Sequence, residues 1–286
     1  MKNVQLKTVV FIFILVISIN LLAQEREGKK PKLGWQNNIV GSLNLTQTNF
    51  SNWAQGGENS FSWQFNLNAK FENNQEKYNW SNSGKLSYGR VKVGDADSRK
   101  SVDEIKVESV FTYKMNLYVN PYIAATGETQ LTKGYQYADG GKTAISDYFD
   151  PAYFTQSAGL GYSPNEQIKT RLGAAIKETI SDKYGYADDK STAQEIEKSR
   201  VEVGAESVTD FSRKLAENIL LTSKLELFSN MKALNQVDVR WDTILAAKVS
   251  RYVDVNFNVK LFYDRDISIK RQLKQALALG LTYTFL

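Results

Sequence analysis

Three pairs of acids come nearest, by residue type and spacing, to doing chemistry in this chain: Asp188-Asp189, Asp264 with Asp266, and Asp238 with Asp242. Two carboxylates held close can divide the roles of acid and base. They would have to act alone, because the sequence has no histidine and no cysteine. That absence removes the histidine base, the thiol nucleophile, the disulfide, the lipidated cysteine and the thiolate metal site together. Neighbouring acids on loops are ordinarily just solvated, so the expectation is no enzyme and no cofactor.

Two short motifs resemble ligand loops and lack what such loops need. Asp95-Ala96-Asp97-Ser98 opens like a calcium loop but has neither the remaining oxygen ligands nor the distant Glu, so an exposed turn is expected. Asp139-Gly140-Gly141-Lys142 lacks the Gly-Lys-Ser/Thr spacing ahead of a helix that a phosphate loop requires. The segment with Asn52, Trp53, Gly56 and Gly57 has two readings. It makes a tight hairpin with Trp53 packed on a rim, or it folds into an interior and constricts it. The net charge of +5 is spread along the chain without a dense run of one sign, which argues against nucleic acid.

The elements that must position these residues alternate with a period of two. Phe61, Trp63, Phe65, Leu67, Ala69 and Phe71 oppose Ser62, Gln64, Asn66, Asn68 and Lys70, which describes a strand with one apolar and one wet side. The same pattern runs from Val237 to Val249 and again from Val253 to Tyr263. Weaker versions begin near Trp35, Tyr78, Ile105, Leu117, Phe154, Ile168, Ile196 and Leu215, and Leu273 to Leu286 completes a set of twelve.

The connections sort by parity. Ser51 to Ser60, Gly94 to Ser101, Thr132 to Pro151, Ser181 to Gln194, Asn230 to Gln236 and Arg265 to Arg271 are comparatively long. Asn73 to Lys77, Asn116, Ser163 to Glu166, Thr209 to Lys214 and Ser250 to Tyr252 are mostly short. Long loops on one side, tight turns on the other and an even strand count are expected of a single transmembrane antiparallel up-and-down β-barrel, with its termini in the periplasm. A soluble sandwich also alternates, but its strands run to about 5 to 6 residues, whereas these commonly exceed ten and suit a tilted bilayer crossing. The mean hydropathy of -0.40 fits a barrel, in which every lipid-facing residue alternates with a polar one. Trp35, Trp63, Trp80, Tyr88, Tyr113, Tyr162, Tyr263 and Tyr283 begin or end apolar faces, as two interfacial girdles require.

At the N-terminus, Lys2 and Lys7 precede an apolar run from Thr8 to Leu22. Residues 1–23 therefore read as a signal peptide cut between Ala23 and Gln24, residues 24–33 as a charged periplasmic linker, and 34–286 as the barrel. At the other end, Gly280, Tyr283 and Phe285 resemble the C-terminal signal read by the outer-membrane assembly machinery, with Ala278 and Leu286 departing from its usual form. The segment Phe50-Ser51-Asn52-Trp53-Ala54-Gln55-Gly56-Gly57-Glu58-Asn59-Ser60 is similar to the opening signature of a Bacteroidota outer-membrane family catalogued as domain of unknown function 3078. The tail from Tyr263-Asp264-Arg265-Asp266 through Gln272 to Gly280 and Tyr283 is similar to its closing segment. The resemblance implies an outer-membrane barrel and brings no established activity. Barrel phospholipases and proteases depend on a histidine, which is missing here.

Function is then expected in the lumen. Face parity places Lys70, Lys106, Lys169, Arg171, Lys177, Arg200, Lys224, Arg240, Lys248 and Lys260 there, with Glu108, Glu202, Glu206, Glu226, Asp238, Asp242 and Asp254. Charges of both signs in a low-dielectric tube should pair across strands. Two readings remain: a channel for small hydrophilic solutes with a mild preference for anions, or a plugged barrel that serves another envelope protein. Membrane lipid and the assembly machinery are the further partners expected.

Overall fold

The computed structural model describes residues 32–51, 54–55, 57–138, 141–188, 196–233, 236–265 and 270–285. Strands β1 (Gly34–Thr48), β2 (Ser60–Asn74), β3 (Tyr78–Val93), β4 (Arg99–Tyr113) and β5 (Val119–Thr129) follow one another along the chain. A small hairpin, β6 (Gly134–Ala138) and β7 (Gly141–Ser146), precedes β8 (Ala152–Tyr162), β9 (Ile168–Ile180), β10 (Ser199–Ala216) and β11 (Ile219–Asn230). The series ends with β12 (Val237–Lys248), β13 (Val253–Tyr263) and β14 (Gln272–Thr284). All but β6 and β7 join one closed ring of twelve antiparallel strands in which each pairs with its neighbour and β14 returns to β1. Among the described residues no helix is long and apolar enough to cross a membrane.

Strand alternation sets the two surfaces. Outward residues such as Leu172, Val201 and Leu277 are exposed, whereas the inward Val208 is 1% exposed. Aromatics gather at the short-turn end, where Trp35 meets Trp80 at 6.3 Å and Tyr252 stacks on Tyr283 at 6.3 Å. Trp63 and Tyr88, 5.8 Å apart, stand towards the opposite end. Two outward indoles donate within the wall, Trp80 Nε1 to Ser109 Oγ (3.0 Å) and Trp241 Nε1 to Ser223 Oγ (2.8 Å). A donor facing hydrocarbon has no water to serve it, so such pairing keeps the outer face compatible with lipid.

The closing seam is short. β1 pairs with β2 from Gly34 opposite Asn74 to Thr48 opposite Ser60, but with β14 only from Val40 opposite Thr284 to Leu45 opposite Leu279. Beyond the ladder, Phe285 N donates to Ile39 O at 2.8 Å. The Phe285 ring lies over Gly41, where a β-carbon would stand 3.1 Å from its edge. A side chain there would press on the ring, which would have to give by a few tenths of an ångström. Tyr283 packs edge-on against Phe285 at 4.9 Å beside this seam.

Three expectations change. Thr209 to Lys214 is not a connection but the interior of β10, and the turn is Glu217-Asn218. A register shift between Lys214 and Ala216 explains the misreading, since the polar run Ser212-Arg213-Lys214 sits beside an irregular ladder and mimics a turn. Leu215 accordingly ends β10 instead of opening the next strand, and Ile196 precedes β10. The Thr132 to Pro151 connection carries the β6–β7 hairpin, whose exposed Tyr135 and Tyr137 alternate over a span too short to stand out.

Candidate functional site: a lumen divided by ion pairs

Inward side chains from opposite sides of the ring meet in the middle. Lys85 of β3 reaches Asp242 of β12 at 3.1 Å, and Lys260 of β13 reaches Glu104 of β4 at 2.6 Å. Lys106 of β4 binds Glu226 of β11 at 2.7 Å, and Arg240 of β12 binds Glu128 of β5. Glu108 accepts from Lys224 at 2.5 Å and also from Arg171 of β9. These contacts join β3, β4 and β5 to β11, β12 and β13 as a mesh of alternating sign. A buried charge without its partner is costly, which is why the mesh leaves its members paired.

The mesh separates two arcs of wall. Behind one face stand β8, β9 and β10, whose inward side is filled. Ala175, Lys177, Thr179, Glu202 and Val208 are buried there, the Tyr122 hydroxyl lies over Gly173 and the Phe228 ring lies over Gly204. Lys177 bonds Asp238 at 2.6 Å and Asp264 at 3.2 Å. Glu206 lines a cavity of about 50 Å³ with Tyr153, Lys177 and Arg240. Arg200 pairs with Glu202 at 3.4 Å.

Long connections bind to one another above this arc. Asp150 accepts from Ser181 Oγ at 2.6 Å and from Lys183 N at 2.8 Å. Asp103 accepts from Leu131 N, Thr132 N and Lys100 Nζ at 2.7, 2.8 and 2.9 Å. Gln130 Nε2 donates to Asp147 O at 2.8 Å.

The opposite arc, β14, β1 and β2, carries short and mostly uncharged inward residues. They include Ala276, Ala278, Gly280 and Thr282 on β14, Asn38, Val40, Ser42, Asn44 and Thr46 on β1, and Ser62, Gln64, Asn66 and Asn68 on β2, with Lys274 on β14 and Lys70 and Glu72 on β2 as charged members. Asn38, Thr46 and Asn68 are exposed, and Ser42, Asn44, Gln64 and Asn66 are half-buried. Gln64 Nε2 donates to Asn66 Oδ1 at 2.6 Å, and Asn66 Nδ2 to Ser42 Oγ at 3.2 Å. Beside this arc, Asp254 accepts from Thr282 Oγ1 at 2.5 Å and from Asn256. Towards the short-turn end both arcs border a cavity of about 750 Å³ lined by Asn38, Asn68, Lys70, Asn120, Ser163 and Lys169, among others. Lys70 is paired there with Glu72 at 2.6 Å.

The residues singled out by parity are thus placed as follows. Glu108, Arg171, Lys224, Glu226, Arg240, Asp242 and Lys260 form the mesh, Arg200 and Glu206 lie in the filled arc, and Lys70 and Asp254 lie at or beside the open arc. Lys85, Glu104, Glu128 and Asp264 escaped that reading. The signal for Lys85 was its same-parity spacing from Ser81, Ser83 and Ser87, blurred because the outward face of β3 includes Asn82 and Gly84. Asp238 and Asp242 each face a lysine instead of each other, so they are not poised as an acid–base couple. Asp95 and Asp97 are exposed in the turn after β3. Among the described residues no group of three or more acids converges to hold a metal.

Gly280 faces the lumen instead of the lipid, in a position where a β-carbon would meet the Asn44 and Asp254 carbonyl and carboxyl oxygens. Gly57 has φ +138° beneath the Phe50 ring. Asn52, Trp53 and Gly56, the cleavage position Ala23 and Gln24, Asp139, Gly140, Asp189 and Asp266 lie outside the described residues.

No curated protein matches the sequence. In fold, the chain is similar to the translocator domain of the autotransporter NalP from Neisseria meningitidis, at 10% identity, with 99% of this chain and 97% of that one covered and a TM-score of 0.38. It is also similar to an outer membrane channel from Pseudomonas putida F1, at 14% identity, coverage of 92% and 98% and a TM-score of 0.40. The NanC porin is similar at 7% identity, coverage of 86% and 98% and a TM-score of 0.38. The sequence resemblance drawn from the ends of the chain has a counterpart at one of them: residues 45–135, from within β1 to the start of β6, match the model of the family described as a protein of unknown function, DUF3078.

Proposed function

We propose that the protein is a passive channel of the outer membrane for small hydrophilic solutes. One observation carries the reading: towards the short-turn end the lumen holds a cavity of about 750 Å³ lined largely by polar and charged side chains, among them Asn38, Asn68, Ser81, Ser83, Asn120 and Lys169. A barrel that served only as a plug would have this space filled, since close packing is the default for a protein interior. In this reading residues 1–23 direct export and are removed, membrane lipid surrounds the apolar band, and the seam beside Tyr283 and Phe285 closes the barrel during assembly. The anion preference suggested by the basic excess of the chain finds weak support, because Lys85, Lys106, Lys224 and Lys260 in the cavity wall are matched by Glu104, Glu108, Glu226 and Asp242.

The chain folded into planar bilayers should give discrete conductance steps, and its reversal potential under a KCl gradient should lie near zero. Absence of steps, together with no swelling of proteoliposomes in any sugar, overturns the channel. That result would favour the second reading, an accessory barrel that binds an envelope partner. Its support is the loop assembly built around Asp150 and Asp103, with Tyr135, Tyr137 and Tyr148 exposed on it. The mass of the protein isolated from membranes checks export, with a chain beginning at Gln24 expected.

A further inference from the structure

We infer that the wall opens sideways between β1 and β14, and that this opening takes a single-chain amphiphile with an anionic head from the surrounding lipid. The inference goes beyond the channel reading and does not rest on it. The two strands are joined by six residue pairs, from Val40 opposite Thr284 to Leu45 opposite Leu279, whereas β1 meets β2 through fifteen and β13 meets β14 through ten. A tilted strand needs about 9 to 11 residues to cross the hydrocarbon layer, so this ladder is too short to seal the whole crossing. It lies at the short-turn end, where Tyr252 stacks on Tyr283. Towards the long loops both strands go on, β1 through Thr46, Gln47 and Thr48 along β2, and β14 from Ala278 back to Gln272 along β13. On the sides that face each other these stretches have no ladder partner among the described residues.

An open strand edge in hydrocarbon is costly, because its N–H and C=O groups find no water there. It is tolerated where it borders a wet cavity, and a polar head can serve it in the same way. The two faces of the opening suit a molecule with such a head and an apolar chain. Outward, Leu273 and Leu277 are 59% and 68% exposed. Inward, Thr46 and Thr48 carry hydroxyls, and Ala276 and Ala278 carry only methyls, which leaves room for a head between the strands. Lys274 selects the charge of that head. In the mesh, Lys85, Lys106, Lys224 and Lys260 are each tied to a carboxylate. Lys274 instead donates to the Ser101 carbonyl of β4 at 2.7 Å and makes no ion pair among the described residues. An anionic head gains a charge-assisted hydrogen bond there without breaking an existing ion pair. Because the two strands converge at Leu45 and Leu279, the opening is a wedge, which admits one acyl chain more readily than two.

Two experiments on the full mature chain in lipid vesicles test this. Neither reads conductance, so the opening can fail while the channel stands. The chain has no cysteine of its own, so introduced pairs report alone. Leu43→Cys with Leu281→Cys lies on the ladder, and Gln47→Cys with Leu277→Cys continues the same outward face beyond its last pair. A disulfide needs Cα atoms within about 7 Å, so under a membrane-permeant oxidant the first pair should form and the second should form roughly tenfold less. Equal yields overturn the opening. Should the first variant fail to fold, Ser42→Cys with Thr282→Cys, compared with Thr46→Cys and Ala278→Cys, asks the same question from the lumen side. The second experiment uses dodecanoate with a photoreactive group at its methyl end. Labelling at Leu277 should exceed that at Leu172, an outward residue across the ring, by roughly tenfold. It should fall to the Leu172 level in both Lys274→Ala and Lys274→Gln, and persist against excess dodecyltrimethylammonium. Equal labelling of Leu277 and Leu172 overturns the amphiphile. Labelling that survives both Lys274 variants, or that the cationic analogue displaces, overturns the anionic head.

Discussion

The arcs β8–β9–β10 and β14–β1–β2 are built on the same alternation, yet one is a packed interior and the other a wet wall. Their difference lies in side-chain length and charge. Arg171, Lys177 and Glu202 reach inward and find partners, so the space behind the mesh is closed by groups that need each other. Ala276, Ala278, Ser42 and Asn66 are too short to reach the mesh, and their polar atoms bond along the wall or meet solvent. A barrel of fixed strand number thus sets its open section by which arc carries the long residues. Long, mutually paired side chains are concentrated in one arc and short ones in the other.

The largest expected effect that could break this contrast comes from Glu108→Ala. It leaves Arg171 and Lys224 without their shared carboxylate and should cost about 3 kcal/mol or more, read as a lower midpoint of urea unfolding in lipid vesicles. An unchanged midpoint would mean that the mesh is solvated and the filled arc is not an interior. Second in size, Val208→Ala in the filled arc should cost about 2 kcal/mol, and Val40→Ala in the open arc well under half of that, by the same measurement. Similar losses at both positions would erase the distinction. Asn66→Ala is expected to cost about 1 kcal/mol at most, because solvent can replace its bonds to Ser42 and Gln64.

The smallest effect concerns acid and the loops above the filled arc. The Tyr148 N–H, and then Lys133, hold the Asp147 carboxyl below the usual carboxylate range. A group depressed in this way contributes stability above its unfolded value of about 3.9 and loses that contribution as pH falls through the lower folded value. Pepsin cleavage within the β6–β7 connection should therefore increase only below about pH 4, with Asp147→Asn cleaved equally at all acid pH values. Cleavage that rises already between pH 6 and 5 would assign the opening to another group.

Period-two alternation made the ring legible. It separated Leu172 from Arg171 and Leu225 from Lys224 without any knowledge of neighbours, because a strand's two faces are decided within the strand. It failed where alternation is diluted, as in β3 with its inward Lys85, and where a bulge interrupts β10 near Lys214. The hairpin β6–β7 escaped for a related reason: a strand of five residues offers too few alternations to rise above a loop's composition.

By itself the sequence determined that the chain lacks histidine and cysteine chemistry, that long strands with one apolar face make a twelve-stranded ring, and which charges turn inward. Only the tertiary structure decided that Lys85 meets Asp242, 157 residues away, that Glu108 serves both Arg171 and Lys224, and that the lumen therefore divides into a filled arc and an open one. The physical reason is that facing is a local property of the pleat, whereas the partner across the lumen is set by the stagger with which β14 closes on β1. That stagger is a property of the whole ring.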